Sequence, residues 1–284
     1  PTFGRRGLGK LVAQARAGGL EEVTGRLLYD ESVFDRKRGV RQPGISGGPF
    51  GYVGRLSGLA FEGGGSIDPA RSAAGTAISI LRKRGVKVSK QTAPGDAPAS
   101  PAADQLLGEF FSAPLRDIAR TTNTYSVNYY AEMLLKGIAA DERGRGTTKA
   151  GVEEIKEFSA AAGAPLRTVN GSGLSRTDIA TPRAVGALLS HMLAQDEEVR
   201  ESFLGSLAVA GGTGTLARRM RGTAAQGECI GKTGTLTGVS ALSGYCEVAP
   251  DRFVVFSILM NRVDVGRAHV AQDRMTALIA RYRP

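Results

Sequence analysis

At 284 residues, with 42% hydrophobic and 23% charged, the chain has material for one large domain or two ordinary ones, and its composition excludes a disordered or fibrous protein. No apolar run approaches the roughly 20 residues that span a bilayer, and the two cysteines have no metal-site spacing. The net charge is +10, of which residues 1–104 carry +7, with 16 Lys and Arg against 9 Asp and Glu.

The basic clusters Arg36-Lys37-Arg38 and Arg82-Lys83-Arg84 lie in that first part. No aromatic-interleaved basic motif or recognition-helix pattern accompanies them, so nucleic acid is not expected as a partner. They read as a solvated face that an anionic cell wall or membrane surface would attract. The opening PTFGRRGLGK has neither an initial Met nor a signal-peptide core, which suggests a mature, trimmed or truncated chain.

In chain order, Leu8, Leu11, Val12 and Ala15 repeat at helical spacing and stop at Gly18-Gly19. Val23 to Tyr29 reads as a strand, and Arg36 to Gly65 as turns and short strands. Asp68-Pro69 caps a helix through Ile78 and Leu81, and Val86-Lys87-Val88 follows as a short strand. Ala93 to Pro101, APGDAPASP, is the most linker-like segment and the expected boundary between a region 1–104 and a region 105–284. No internal repeat is apparent.

Beyond the boundary, Ser112-Ala-Pro-Leu opens a helix with Leu115, Ile118 and Ala119 on one face, ending in a polar loop Thr121–Ser126. A second helix starts near Asn128, and Ser126 suits its N-cap. Thr147 or Thr148 caps a third, with Val152, Ile155 and Phe158 inward. A glycine-rich loop, Asn170 to Ser175, precedes a helix opened by Thr181-Pro182. His191 and His269 lie in helical patterns and read as structural or exposed. Ala271, Met275, Leu278, Ile279 and Tyr282 form the apolar stripe of a closing helix.

Between the last helices lie strands. Lys232-Thr233-Gly234-Thr235 stands on one of them, with Thr237-Gly238 as a two-residue hairpin turn, Val239 to Val248 as the return strand and Ala249–Arg252 as the next turn. Phe253 to Met260 is almost wholly apolar and expected to be covered on both faces. If Thr237-Gly238 is the turn, Leu236 pairs with Val239 and Cys229 stands directly opposite Cys246. The pair is then either bonded or two small apolar thiols. Helices, an antiparallel sheet and a covering helix make an α/β sandwich.

Three motifs stand in order: Ser126-Val127-Asn128 between two helices, Asn170-Gly-Ser-Gly-Leu-Ser175, and Lys232-Thr233-Gly234-Thr235 on a strand. With PTFG, YVGRLSGLAF, GTLARRMRGT and GKTGTLTGVSALSGY they resemble the D-alanyl-D-alanine carboxypeptidase/endopeptidase family, low-molecular-mass class C penicillin-binding proteins, over essentially the whole chain. The resemblance implies a β-lactamase-like α/β sandwich with an inserted smaller α+β domain at 1–104. It implies a cofactor-free, metal-free hydrolase of peptidoglycan stem peptides that also meets β-lactams outside the cytoplasm. Ser126 would relay a proton to the leaving group, and Asn128 would orient the substrate's carbonyl. Lys232 would supply positive potential, Thr233 and Thr235 would bind the terminal carboxylate, and Gly234 would let the ligand backbone approach. The Thr235 N–H would form half an oxyanion hole.

In that family the nucleophile is a serine in Ser-x-x-Lys. None of the serines in this sequence has Lys at the third following position. The departure is read as a missing N-terminal part, with a noncatalytic wall-binding homologue of the same fold as the alternative.

Overall fold

The computed structural model describes residues 3–46, 48–97 and 106–282. Pro1 and Thr2 of the opening motif, residues 98–101 of the linker-like segment and the 104/105 boundary lie outside them. The chain forms two compact units. One comprises Pro1–Arg41, Ser46–Ala113 and Glu132–Gly151; the other comprises Gln42–Ile45, Pro114–Ala131 and Val152–Pro284.

The first unit is an α+β body. Helix α1, Arg5–Ala17, ends at Gly18 as its spacing suggested, and its Leu8 and Val12 are buried. Instead of one strand over 23–29 there are two two-residue strands, β1 (Glu22–Val23) and β2 (Leu28–Tyr29). Residues 36–65 hold 3-10 turns at Gly48–Phe50 and Glu62–Gly64 and, among the described residues, no strand. Helix α2, Pro69–Lys83, is capped by Asp68, whose carboxylate accepts from the Arg71 N–H at 3.1 Å. It leads to β3 (Lys87–Val88) and β4 (Ala93–Pro94).

This unit contains a repeat that the sequence hides. A helix followed by two short strands occurs twice, and the copies pair in parallel: Glu22 with Lys87 and Val23 with Val88, Leu28 with Ala93 and Tyr29 with Pro94. Every pair has the same 65-residue separation. Because a two-residue strand has too few side chains to show a pattern, only the pairing reveals the duplication.

In the second unit, helix α3 spans Leu115–Tyr125. Helix α4, Asn128–Arg143, begins in this unit, and its residues from Glu132 belong to the first. Helices α5 (Thr148–Ala161, in this unit from Val152), α6 (Pro182–Leu193) and α7 (Glu197–Leu204) follow. The Thr147 hydroxyl caps α5 by accepting from the Ala150 N–H, as Thr181 caps α6 by accepting from Ala184. Phe158 is not inward: it is 48% exposed and rests its ring edge-on against His191.

The sheet is antiparallel in the order β5 (Ala208–Val209), β6 (Cys229–Leu236), β7 (Val239–Ala249), β8 (Arg252–Asn261). Leu236 pairs with Val239 across Thr237-Gly238, and Cys229 with Cys246, which are disulfide-bonded. Alternate residues of β7 serve two layers. Leu242, Cys246 and Val248 face the cluster shared with Ile279 of the closing helix α8, Val265–Ile279, and with its C-cap Ala280. Tyr245 faces the other cluster, with Leu189 of α6 and Leu204 of α7, and donates its hydroxyl to the Leu189 carbonyl at 2.8 Å. The result is the expected α/β sandwich.

Strand β8, at the end of the strand order among the described residues, packs on both faces as expected: Val254, Phe256 and Ile258 against the cluster with α8, Phe253 and Val255 against the cluster with Leu189 and Tyr245. One expectation about this sheet needs correction: of its apolar stripe the closing helix packs Ile279 inward and leaves the larger side chains outside. Ala268, Gln272 and Thr276 face inward, whereas Leu278 is 65% exposed and Met275 and Tyr282 are also exposed. Hydrogen bonds explain the inversion. The Gln272 side-chain oxygen accepts from Arg219 and Ser240, and the Thr276 hydroxyl donates to the Gln272 carbonyl, so both side-chain oxygens are satisfied inside.

Candidate active site

The stretch Thr121–Tyr125, expected as a polar loop, is the last turn and a half of α3. Its polar side chains bond without unwinding it. The Thr121 and Thr122 hydroxyls donate back to the carbonyls of Asp117 and Ile118, four residues earlier. Asn123 and Thr124 reach Ser206, donating to its hydroxyl at 2.8 Å and to its carbonyl at 2.7 Å. The helix then stops abruptly. Ser126 takes a left-handed conformation, φ 56° and ψ 51°, as the C-cap of α3, and Val127 donates its N–H to the Thr122 carbonyl at 3.0 Å. Ser126 is therefore not an N-cap; the Val127 carbonyl accepts the first bond of α4, from Ala131.

This bend delivers Ser126 to Lys232. The ammonium donates to the Ser126 hydroxyl oxygen at 2.7 Å and to the Thr233 carbonyl at 2.7 Å. Lys232 is the cross-strand partner of Ser243 and so shares the sheet face of Tyr245. No carboxylate among the described residues pairs with it. Burial, unopposed by any anion, pushes its pKa down to about 8.

Strand β5 pairs only with Ile230 and Gly231, so the edge of β6 from Lys232 to Leu236 has no strand on that side among the described residues. Alternate backbone N–H and C=O groups along it are left for a ligand. At Gly234 an added Cβ would meet only the Ala241 methyl, at 3.4 Å, so the backbone there stays approachable. Ser126, Asn128, Lys232, Thr233, Gly234 and Thr235, the site residues expected from the sequence, all line one cleft of about 670 Å³.

The opposite wall is the loop after Asn170. Asn170 is 2% exposed, and its side-chain oxygen accepts from the Gly173 N–H at 2.9 Å, which fixes the Gly171–Gly173 turn. Asp178 holds the base of the loop by accepting from the Val169 N–H at 3.0 Å, and burial raises its pKa. Arg176 ties this wall to the hairpin, donating to the Thr237 carbonyl at 2.7 Å and to the Gly44 carbonyl at 3.2 Å.

Asn123, Thr215 and Asp178, for which the sequence suggested no role, also line the cleft. Thr215 accepts a hydrogen bond from the Thr233 hydroxyl at 2.9 Å and so orients it. The signal was present in the GTLARRMRGT motif. Gly214 sits at φ 54°, where an added Cβ would lie 2.0 Å from the Thr124 carbonyl oxygen. Only glycine lets this turn press against α3 and bring Thr215 to the strand.

The model of the D-Ala-D-Ala carboxypeptidase 3 (S13) family matches residues 62–282. The chain belongs to that family. It is 36% identical over 223 residues to the D-alanyl-D-alanine carboxypeptidase of Actinomadura sp. (strain R39), covering 76% of this chain and 41% of that one. It is 30% identical over 229 residues to the penicillin-sensitive carboxypeptidase A of Dictyostelium discoideum, covering 76% and 43%. This S13 chain thus spans about two-fifths of the length of those curated relatives. Its fold is that of penicillin binding protein 4 (dacB) from Haemophilus influenzae, with a TM-score of 0.74 at 20% identity, over 99% of this chain and 80% of that one. The Haemophilus protein has also been solved in complex with a β-lactam.

Proposed function

We propose that this S13 chain supplies the Ser-x-Asn and Lys-Thr-Gly parts of a serine-type D-Ala-D-Ala carboxypeptidase/endopeptidase that cleaves peptidoglycan stem peptides through an acyl-enzyme. The observation that carries this reading is the 2.7 Å contact between Lys232 and Ser126 beside the bare edge of β6. A peptide laid along that edge pairs with its backbone. Its terminal carboxylate meets the Thr233 and Thr235 hydroxyls and the positive potential of Lys232, and Asn128 orients its carbonyl. As the peptide bond breaks, the leaving D-Ala amine takes a proton through Ser126, which Lys232 holds in place.

The attacking serine of that reaction comes from outside these 284 residues, because no Ser-x-x-Lys occurs among them. The protein works outside the cytoplasm, in keeping with a disulfide between strands, and its basic surface favours anionic wall material. β-Lactams acylate the complete enzyme by imitating the stem peptide.

Labelling with a fluorescent penicillin tests the reading. The longer product of the same reading frame becomes labelled, and its Lys232→Ala variant reacts roughly 10²–10³-fold more slowly. The 284-residue chain takes no stoichiometric penicilloyl group. A longer product that binds wall material but never labels would establish the noncatalytic wall-binding alternative.

A further inference from the structure

Ser126 and Lys232 have properties that a proton relay does not require. Ser126 is one of five non-glycine residues at positive φ among those described, and it sits in a bend that costs of order 1–3 kcal/mol. That bend carries its hydroxyl to the wall of the 670 Å³ cleft, 2.7 Å from Lys232 Nζ. Among the described residues, the Lys232 ammonium bonds to neutral oxygens, those of Ser126 and the Thr233 carbonyl. With its pKa at about 8, a sizeable fraction of the amine is uncharged just above neutral pH and able to accept a proton from the serine it contacts. Beside the pair, the unpaired edge of β6 offers backbone N–H groups to a developing oxyanion. A hydroxyl, an adjacent base and donors for an oxyanion, opening on one cleft, make an acyl-transfer site.

We propose that Ser126 and Lys232 are a nucleophile–base pair in their own right, and that this chain hydrolyses small activated esters through an acyl-Ser126 intermediate. Uncharged Lys232 takes the Ser126 proton as Oγ bonds to the ester carbonyl carbon. The tetrahedral adduct collapses, its bond to the leaving oxygen breaks, and the alcohol departs with the proton from Lys232. Water then attacks the acyl carbon and gives its proton to Lys232. Collapse of this second adduct breaks the bond to Oγ, which recovers a proton from Lys232 as the carboxylic acid leaves. One ester and one water become one acid and one alcohol. This activity goes beyond the proposed peptidase function, in which Ser126 relays a proton and a different serine attacks.

The test uses the 284-residue chain with p-nitrophenyl acetate and a fluorophosphonate probe between about pH 6 and 10. The expected results are one fluorophosphonyl group per chain, mapping to Ser126, and ester hydrolysis that rises with pH through a midpoint of about 8. Ser126→Ala should lose the adduct and roughly 100-fold or more of the rate above buffer. Lys232→Arg should do the same with its fold intact, because a guanidinium cannot serve as a base. An adduct on any other residue, or on none while the chain melts cooperatively, would overturn the proposal, as would full activity in Lys232→Arg. None of these results depends on penicillin labelling of the longer product, so either idea can fail alone.

Discussion

Replacing Cys229 and Cys246 together by alanine removes the cross-link at the open end of the β6–β7 hairpin, the element that carries Lys232 to Thr235. The two cysteines are 17 residues apart, so the bond closes a short loop in the unfolded chain. The loop-entropy relation puts its loss at about 3 kcal/mol near 25 °C. Both side chains are buried in the cluster around Leu242, Leu216 and Ala280, so truncating two sulfurs adds a small cavity cost in the same direction. With a urea m-value of about 2 kcal/mol per molar, the midpoint for the sheet-bearing unit should fall by roughly 1.5 M. Far-ultraviolet circular dichroism during urea titration, wild type beside variant, reads that shift. In the native state the hairpin register should survive, since the two-residue turn and seven further cross-strand pairs hold it without the sulfurs. A midpoint within about 0.3 M of wild type would refute the assignment of the cross-link as a main constraint on this unit.

Three further outcomes are expected. Gly214→Ala forces a Cβ against the Thr124 carbonyl at a positive φ, so the chain should lose about 1–3 kcal/mol by urea titration and its Thr215–Thr233 contact with it. Lys136 is fully buried against Asp35 and the Lys37 carbonyl, so Lys136→Met should cost about 3–5 kcal/mol by stranding the carboxylate. Lys136→Met/Asp35→Leu should recover most of that loss, and a double variant no better than the single would rule out the ion pair as the cause. Lys232 should make stability rise with pH. Its folded pKa of about 8 lies below the ordinary 10.5, so between those values the unfolded chain holds more protons. The cost of burying the ammonium is fully present below about pH 8 and gone above about 10.5. Wild type should therefore gain stability relative to Lys232→Met between about pH 7.5 and 10, and parallel pH profiles would contradict the burial of an uncompensated charge.

What could be read in the sequence divides along a physical line. Features set by local chemistry or by a two-residue period were legible: the Asp68, Thr147 and Thr181 caps, the Thr237-Gly238 turn, and through that turn the register that puts Cys229 opposite Cys246. The six expected site residues share a cleft because the cues for them, a polar break between helices and a Lys-Thr-Gly strand, are local ones. Features set by a distant partner were not legible. Thr121–Tyr125 looks like a loop until Ser206 is placed beside it, and the inward face of α8 looks wrong until Arg219 and Ser240 reach Gln272. Each misleads in the same sense. Hydroxyl and amide side chains look water-seeking, yet a partner more than 30 residues away lets them be buried or kept helical.

Lys232 is informative beyond its motif for the same reason. Its triplet sets the chemical type of the site, and the triplet is visible in one line of sequence. Its protonation depends on burial with no paired carboxylate among the described residues, and a sequence does not display that three-dimensional neighbourhood. Ser126, 106 residues earlier, meets it only because α3 ends in a left-handed cap that no sequence rule assigns to serine. The strained cap and the uncompensated amine each cost stability, yet they converge on one 2.7 Å contact. Two independent costs meeting at a single pair of atoms are hard to account for by folding alone, and chemistry at that pair supplies a reason for both.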